Sequence, residues 1–265
     1  MPSASEGKDS RAEALCATLL PVKKKKHTLE IVLLISLTSL TTIWGGFAIY
    51  CGFYYHALPE ADSSLLSHDG VVVSSSKRLY SFVPEKPEIL SYVFYPGGKV
   101  EAKAYAPFCF ALAQKGNPVY LCVMPFNLAF FDSEAASRVI DNHEAERWVI
   151  VGHSLGGAFA GSYASAHASK LSGIVFLASY TTQDLSKTTL KSLSIYGSED
   201  GVMNREKYNE SLRNLPSDHQ EIILQGGNHA SFGDYGEQSD DGKATITFTE
   251  QIQKSVDAID SIFGN

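Results

Sequence analysis

The rhythm of apolar and polar positions changes twice along the chain. Met1 to His27 is polar and ends in Lys23-Lys24-Lys25-Lys26. Ile31 to Tyr55, IVLLISLTSLTTIWGGFAIYCGFYY, then carries no charged residue. A stretch of about 25 uncharged, mostly apolar residues suffices to cross a bilayer core with some tilt. Trp44, Tyr50, Phe53, Tyr54 and Tyr55 crowd its second half, where an interfacial aromatic belt would sit. From about Glu60 onward, short apolar runs alternate with helical periodicities. Gly70–Ser74 and Arg78–Val83 read as an antiparallel opening pair, and Ile89–Tyr95 as a third strand closed by Pro96-Gly97-Gly98. Ala102–Gln114 is predicted helical, with Tyr105, Phe108, Ala111 and Leu112 on one face, and Gly116-Asn117-Pro118 ends it.

The alternation continues to the C-terminus. Strands are predicted at Val119–Met124, Arg147–Val151, Leu171–Leu177, Leu190–Tyr196 and Gln220–Leu224. Helices are predicted from Asp132 to about His143, over Gly157–Ala164, over Glu206–Leu212 and over Thr249–Ile262. The last is amphipathic, with Ile252, Val256, Ile259 and Ile262 in register. Strands alternating with helices imply a doubly wound, mostly parallel α/β sheet, with its site outside the carboxyl ends of the strands. The expected organisation is therefore a polar tail over 1–30, a membrane-anchoring helix over 31–55 and an α/β domain over 60–265.

Charge orients the anchor. The lysine cluster keeps the N-terminus cytoplasmic and places the domain outside, because positive flanks stay inside. A cleaved signal peptide and a lipid-modified Cys51 are the competing readings. The first has an overlong charged region and no small-x-small cleavage site; the second has the bulky Tyr50 before the cysteine. The net charge of −7 argues against a nucleic-acid partner, which needs a basic face. Among the four cysteines, Cys109 and Cys122 fall in apolar segments and read as buried thiols, with a bond between them left open. No metal-ligand spacing appears, and no metal or cofactor is expected.

The chemistry concentrates at three turns. Gly152-His153-Ser154-Leu155-Gly156 is a G-x-S-x-G pattern between an apolar run and a small-residue helical segment. The strand–turn–helix context makes Ser154 a candidate nucleophile, since the glycines let the turn pack closely. A serine hydroxyl needs a base, and an ionised acid fixes that base's tautomer. Asp200 follows the strand ending at Tyr196, and His229 follows the last strand; the order Ser, acid, His suits this topology. Glu199 is an alternative acid and Asp184 a distant third, while Asp234 reads as a turn residue. His153 points away from the reaction in such a turn and reads as packing or hydrogen bonding. His143, His167 and His219 read as surface or helix-end residues. Gly97-Gly98-Lys99 lacks the Walker spacing, so a phosphate loop is rejected.

The segments YPGGKV (95–100), GHSLGG (152–157), YGSEDGV (196–202) and GGNHASFGDYG (226–236) together resemble the α/β-hydrolase superfamily. Within it, the chain is similar to the compact, lidless dienelactone hydrolases and small serine carboxylesterases. It departs from dienelactone hydrolases in carrying Ser154 where they typically use cysteine. The resemblance implies a serine hydrolase of a carboxylic ester, lactone or thioester, with Ser154, Asp200 and His229 as the catalytic triad. It also implies an oxyanion hole from the amide of Leu155 and that of Gly98 or Lys99. The implied partner is a small ester substrate, with the membrane engaged through the N-terminal helix; the oligomeric state stays open. A transacylase would share this machinery, and a catalytically silent binding module is the alternative from another class. Phe126, Phe130, Phe131, Phe232 and Tyr235 either line an acyl pocket or belong to ordinary packing.

Overall fold

The structure, a computed structural model, describes residues 10–142 and 147–264, with side chains from His27 onward. The tail before residue 10 and His143 lie outside the described residues. The chain divides into two compact units, one ending at Gly52 and the other beginning at Phe53.

Among its described residues the first unit is a single helix, α1 (Ser10–Gly52). Its portion His27–Gly52, 26 residues with a mean hydropathy of 1.8, is long and apolar enough to cross a membrane. Backbone groups inside a bilayer must be satisfied locally, and polar side chains there need partners. The threonines comply: Thr38 Oγ1 donates to the Leu34 carbonyl at 2.8 Å, and Thr42 Oγ1 to the Thr38 carbonyl at 2.9 Å. The helix stops at Gly52, short of the expected Tyr55.

The second unit carries an eight-stranded sheet in the order β1-β2-β4-β3-β5-β6-β7-β8. The strands are β1 (Val71–Ser76), β2 (Leu79–Pro84), β3 (Leu90–Tyr95), β4 (Val119–Cys122), β5 (Arg147–His153), β6 (Gly173–Leu177), β7 (Lys191–Gly197) and β8 (Asp218–Leu224). β1, β2 and β4 pair antiparallel, and every pairing from β4 through β3 to β8 is parallel. The parallel strands β3, β5 and β6 are buried on both faces, which is why they read as continuous apolar runs rather than alternating ones. One apolar layer holds Phe94, Tyr105, Phe108, Val256 and Ile259; the other holds Trp148, Tyr163, Ile174 and Phe176. Cys109 and Cys122 are separate buried thiols, each pushed up by burial, Cys122 to about 12.

Two helices differ from expectation. Ala102–Gln114 opens as a 3₁₀ turn, Ala102–Tyr105, before α2 (Ala106–Ala113) begins. Pro107 sits in the first turn of α2, where its missing N–H costs no helical bond. The helix expected from Asp132 shrinks to one turn, α3 (Ser137–Ile140). Tertiary bonds override propensity there. Asp132 accepts from Arg78 and Arg138, and Tyr95 Oη bridges the Ser133 carbonyl and the Ala136 amide. The remaining helices, α4 (Leu155–Ala166), α5 (Arg205–Ser211) and α6 (Phe248–Phe263), fall within a few residues of their predicted positions. α6 starts on a capping box between Thr247 and Glu250.

Phe94 has no exposed surface and lies 5.2 Å and 5.5 Å, ring to ring, from Tyr105 and Phe108. Phe94→Ala is expected to destabilise the domain by about 3–5 kcal/mol. A urea-unfolding midpoint equal to that of the unmodified chain would contradict this packing.

Candidate active site

Parallel strands β3, β5, β7 and β8 end on one edge, and each delivers a loop to it. After β5 the chain turns through Ser154, with φ 50° and ψ −124°, directly into α4. Non-glycine residues adopt such a backbone only where the surroundings hold it, at a cost of order 1–3 kcal/mol. Here the Ser154 amide donates to the Leu177 carbonyl at 3.0 Å, and its carbonyl accepts from Ser179 Oγ at 2.6 Å. Gly156 makes the turn sterically possible, since a Cβ there would strike the carbonyl oxygens of Tyr95 and Pro96. The hydroxyl-bearing residue is half-buried at the head of the helix, and Leu155 beside it is exposed.

The turn after β7 supplies Asp200 and the turn after β8 supplies His229; both side chains are almost wholly buried. His229 Nδ1 lies 3.0 Å from Asp200 Oδ2. Asp200 Oδ1 accepts from the amides of Met203 at 2.8 Å and Val202 at 2.9 Å. Burial pushes the Asp200 carboxyl up, but the bond and charge of His229 and these two amides outweigh it, so the group sits below the usual carboxylate range. Asp200 is thus an ionised acceptor that holds the proton of His229 on Nδ1. That leaves Nε2 as the lone-pair nitrogen, buried and without a hydrogen-bond partner. Ser154 is not bonded to it in this conformation; such bonds are often long before substrate arrives. The rival acids fall away. The Glu199 carboxylate takes its neighbour Ser198's hydroxyl at 2.8 Å, and Asp184 lies on the surface bonded to Ser186.

His153 links the loops. Gly97 N–H donates to Tyr105 Oη at 3.0 Å, Tyr105 Oη lies 2.8 Å from His153 Nδ1, and His153 Nε2 lies 3.2 Å from the His229 carbonyl. The His229 carbonyl requires a proton on Nε2, and with the ring neutral Nδ1 accepts from the Tyr105 hydroxyl. Burial, with the charge of His229 adding to it, pushes the His153 imidazole well below its usual value. The rings of His153 and His229 are 4.7 Å apart. His153 therefore ties the turn after β3 to the histidine loop. His167 sits at the end of α4, paired with Glu134 at 2.8 Å, and His219 is bonded to Ser192 at 2.9 Å.

The turn after β3 faces the head of α4. Gly98 approaches Leu155 so closely that a Cβ on it would lie 2.6 Å from Leu155 Cδ2. The Lys99 amide donates to the Asn127 carbonyl at 2.7 Å, with Lys99 at φ 59°. This bond spends the Lys99 N–H and leaves Gly98 as the candidate second donor. Leu155 opens α4, so its own N–H has no carbonyl one turn back to receive it.

Sequence reasoning missed Asp241. Its Oδ1 accepts from the amides of Gly201 at 3.1 Å, His229 at 3.2 Å and Gly242 at 2.9 Å, and its Oδ2 from Ala230 at 2.8 Å. One carboxylate thus binds the acid turn to the histidine turn. Gln251, with no exposed surface, holds the same loop through the Asn228 amide at 3.0 Å and carbonyl at 2.8 Å. The only available signal was an unexplained Asp-Gly before the last helix. A cavity of about 540 Å³ behind this loop is lined by Leu58, Asp234, Asp241 and Phe248 but by neither Ser154 nor His229. Phe232 and Tyr235 are core residues; Phe126, Phe130 and Phe131 are exposed. Among the described residues no cluster of metal-binding side chains occurs.

The profile of the alpha/beta hydrolase family matches residues 91–253, from β3 into α6, and so spans every one of these turns. The chain belongs to that family. Solved structures with the same fold include a CIB-like hydrolase from Thermoplasma acidophilum (17% identity, TM-score 0.54, covering 72% of this chain and 100% of that one). A dienelactone hydrolase from Anabaena variabilis aligns at 14% identity and TM-score 0.53, covering 72% and 98%. A monoacylglycerol lipase from Paleococcus ferrophilus aligns at 14% and 0.54, covering 73% and 99%. At these identities the likeness is one of fold. No curated protein sequence matches the chain.

Because His153 stays neutral when folded but titrates near pH 6.5 when unfolded, the unfolded chain binds the extra proton. Its contribution to stability is complete above pH 6.5 and is lost as pH falls toward the folded value, by about 1.4 kcal/mol per unit. His153→Gln is expected to flatten the fall in stability between pH 7 and pH 5. Parallel pH–stability curves for the two chains, from denaturant titrations, would refute the neutral assignment.

Proposed function

We propose that this alpha/beta hydrolase is a serine hydrolase of carboxylic esters, with lactones or thioesters as variants, working through an acyl-enzyme. The observation that carries the reading is the buried His229–Asp200 pair, whose Nε2 is left open and whose imidazole lies 4.7 Å, ring to ring, from His153, the residue before the strained turn of Ser154. In the proposed cycle His229 Nε2 removes the Ser154 hydroxyl proton as Oγ attacks the carbonyl carbon. The amides of Leu155 and Gly98 stabilise the resulting oxyanion. The tetrahedral adduct collapses as His229 returns the proton to the leaving alcohol. Water deprotonated by His229 then cleaves the acyl-Ser154 ester, releasing the acid and restoring the hydroxyl. Asp200 keeps Nδ1 protonated and stabilises the imidazolium that forms in each half. Loss of one oxyanion donor in such a site costs about 3–4 kcal/mol of transition-state stabilisation.

We further read His27–Gly52 as an uncleaved anchor, with Lys23–Lys26 cytoplasmic and the catalytic unit on the opposite side. The small ester is the sole partner this reading requires besides the membrane.

Ser154→Ala is expected to abolish labelling by a fluorophosphonate and to lower turnover of a short p-nitrophenyl ester by on the order of 10⁶-fold. Unchanged labelling in that variant would sink the nucleophile assignment. Asp241→Ala, which orphans four amides, should lower kcat by about a hundredfold with little change in KM, since it misplaces groups without removing one. Asp241→Asn keeps one carbonyl acceptor and should fall between. Wild-type kcat in Asp241→Ala would show that the clamp has no bearing on the site.

A further inference from the structure

Three phenylalanines stand in the open beside the helix that follows the proposed nucleophile. Phe130 is 67% exposed, Phe126 54% and Phe131 42%. Single exposed apolar residues are ordinary, but contiguous ones are not. These are contiguous: Phe126 and Phe130 lie 5.4 Å and 5.1 Å from Phe131, ring to ring, and Phe130 lies 6.2 Å from Phe159. Phe159 is one turn along α4 from Leu155, which is itself 39% exposed and touches Gly98. The aromatic strip therefore runs up to the proposed oxyanion turn. The backbone presents it, since Phe126 and Asn127 both take left-handed φ values of 55° and the Asn127 carbonyl is fixed by Lys99.

The same turn receives the chain as it leaves the apolar helix. The Tyr55 amide donates to the Lys99 carbonyl at 2.8 Å, and the Tyr55 carbonyl accepts from the Glu101 amide at 2.9 Å. Tyr55 follows the end of α1 at Gly52 by three residue steps. Fully extended, they span about 10 Å. With His27–Gly52 in a bilayer, this short connection sets an upper limit on how far Tyr55, and the turn carrying Gly98 that Tyr55 is bonded to, can lie from the end of the helix. Exposed aromatic rings of this kind are stabilised at the headgroup level.

From these juxtapositions we infer that Phe126, Phe130 and Phe131 form a membrane-docking surface, through which the site takes esters whose acyl chains reside in the bilayer. This deepens the hydrolase reading and rests on it for the chemistry. The bond broken remains the ester C–O bond; the acyl chain enters along the strip toward Ser154 while the headgroup alcohol leaves.

The test uses the full chain reconstituted in phosphatidylcholine vesicles. The indole of Phe130→Trp, in a Trp44→Phe background, is expected to be quenched by lipids brominated near the headgroup. The pair Phe126→Ser and Phe130→Ser is expected to lower kcat/KM on a long-chain monoacylglycerol embedded in the vesicles by about tenfold or more. Turnover of soluble p-nitrophenyl acetate should stay unchanged. Absence of quenching overturns the docking surface, including the case in which the patch instead buries itself in a second copy and crosslinks as a dimer. Quenching with equal losses on both esters overturns the bilayer-substrate assignment. Failure of the unmodified chain to turn over either ester, with quenching intact, strikes the hydrolase reading and not the docking one.

Discussion

The site depends on one strained residue. Ser154 holds φ 50° and ψ −124° because its amide and carbonyl are both captured, by Leu177 and by Ser179 together with the first turn of α4. Relaxing the turn would require breaking bonds to β6 and to the loop after it, so the sheet holds the strained backbone of Ser154 in place. Its consequence is directional: a serine at this backbone geometry projects beyond the strand end, with the positive end of a helix beneath it. The glycines on either side are the steric condition for that geometry, since a Cβ at Gly152 would meet the backbone of Gly157 at 2.5 Å.

Proton accounting then separates the two buried histidines. His153 accepts from Tyr105 and donates to a carbonyl, and burial keeps it uncharged. Tyr105 is likewise pushed up by burial and remains a phenol. Asp200 is fixed as an anion by His229 and by two amides. A neutral ring tilted against His229 adds no charge to compete with the imidazolium that general-base chemistry would generate. An anion on Nδ1 favours it. Among the described residues at this edge, His229 Nε2 is buried and unpartnered, and a buried nitrogen without a partner is costly unless something arrives to bond it.

Much of this architecture was legible in the chain, and what escaped has a physical pattern. Strands β3, β5 and β6 announce themselves because both faces are buried and the apolar runs are unbroken. Ser154, Asp200 and His229 stand just past strand ends, where parallel topology collects functional groups. The helix after Asp132 was over-read because its residues spend their polar groups on Arg78, Arg138 and Tyr95, contacts invisible to local periodicity. Lys99 and Gly98 could not be told apart because the distinction rests on Asn127, 28 positions downstream of Lys99 and with no pattern of its own. Asp241 escaped for the same reason, since a carboxylate that binds three amides from two distant turns, and that of its neighbour Gly242, looks in sequence like any loop aspartate.

The segment that leaves the apolar helix is also part of the site's scaffold. Tyr55 adds a parallel bridge to Val100 and places its ring 5.5 Å from Tyr235, while the Leu58 amide donates to the Asp234 carbonyl at 2.8 Å. Each contact lands on a turn that bears a candidate site group: Val100 beside Gly98 and Lys99, and Asp234 and Tyr235 just beyond His229. A flexible linker would have served to tether a domain at lower cost in ordered backbone. Fixing residues 55–58 against both turns instead makes the path of that segment and the shape of the rim mutually dependent. Removing or rerouting that segment would loosen the oxyanion turn and the histidine loop together, because the same backbone bonds brace both.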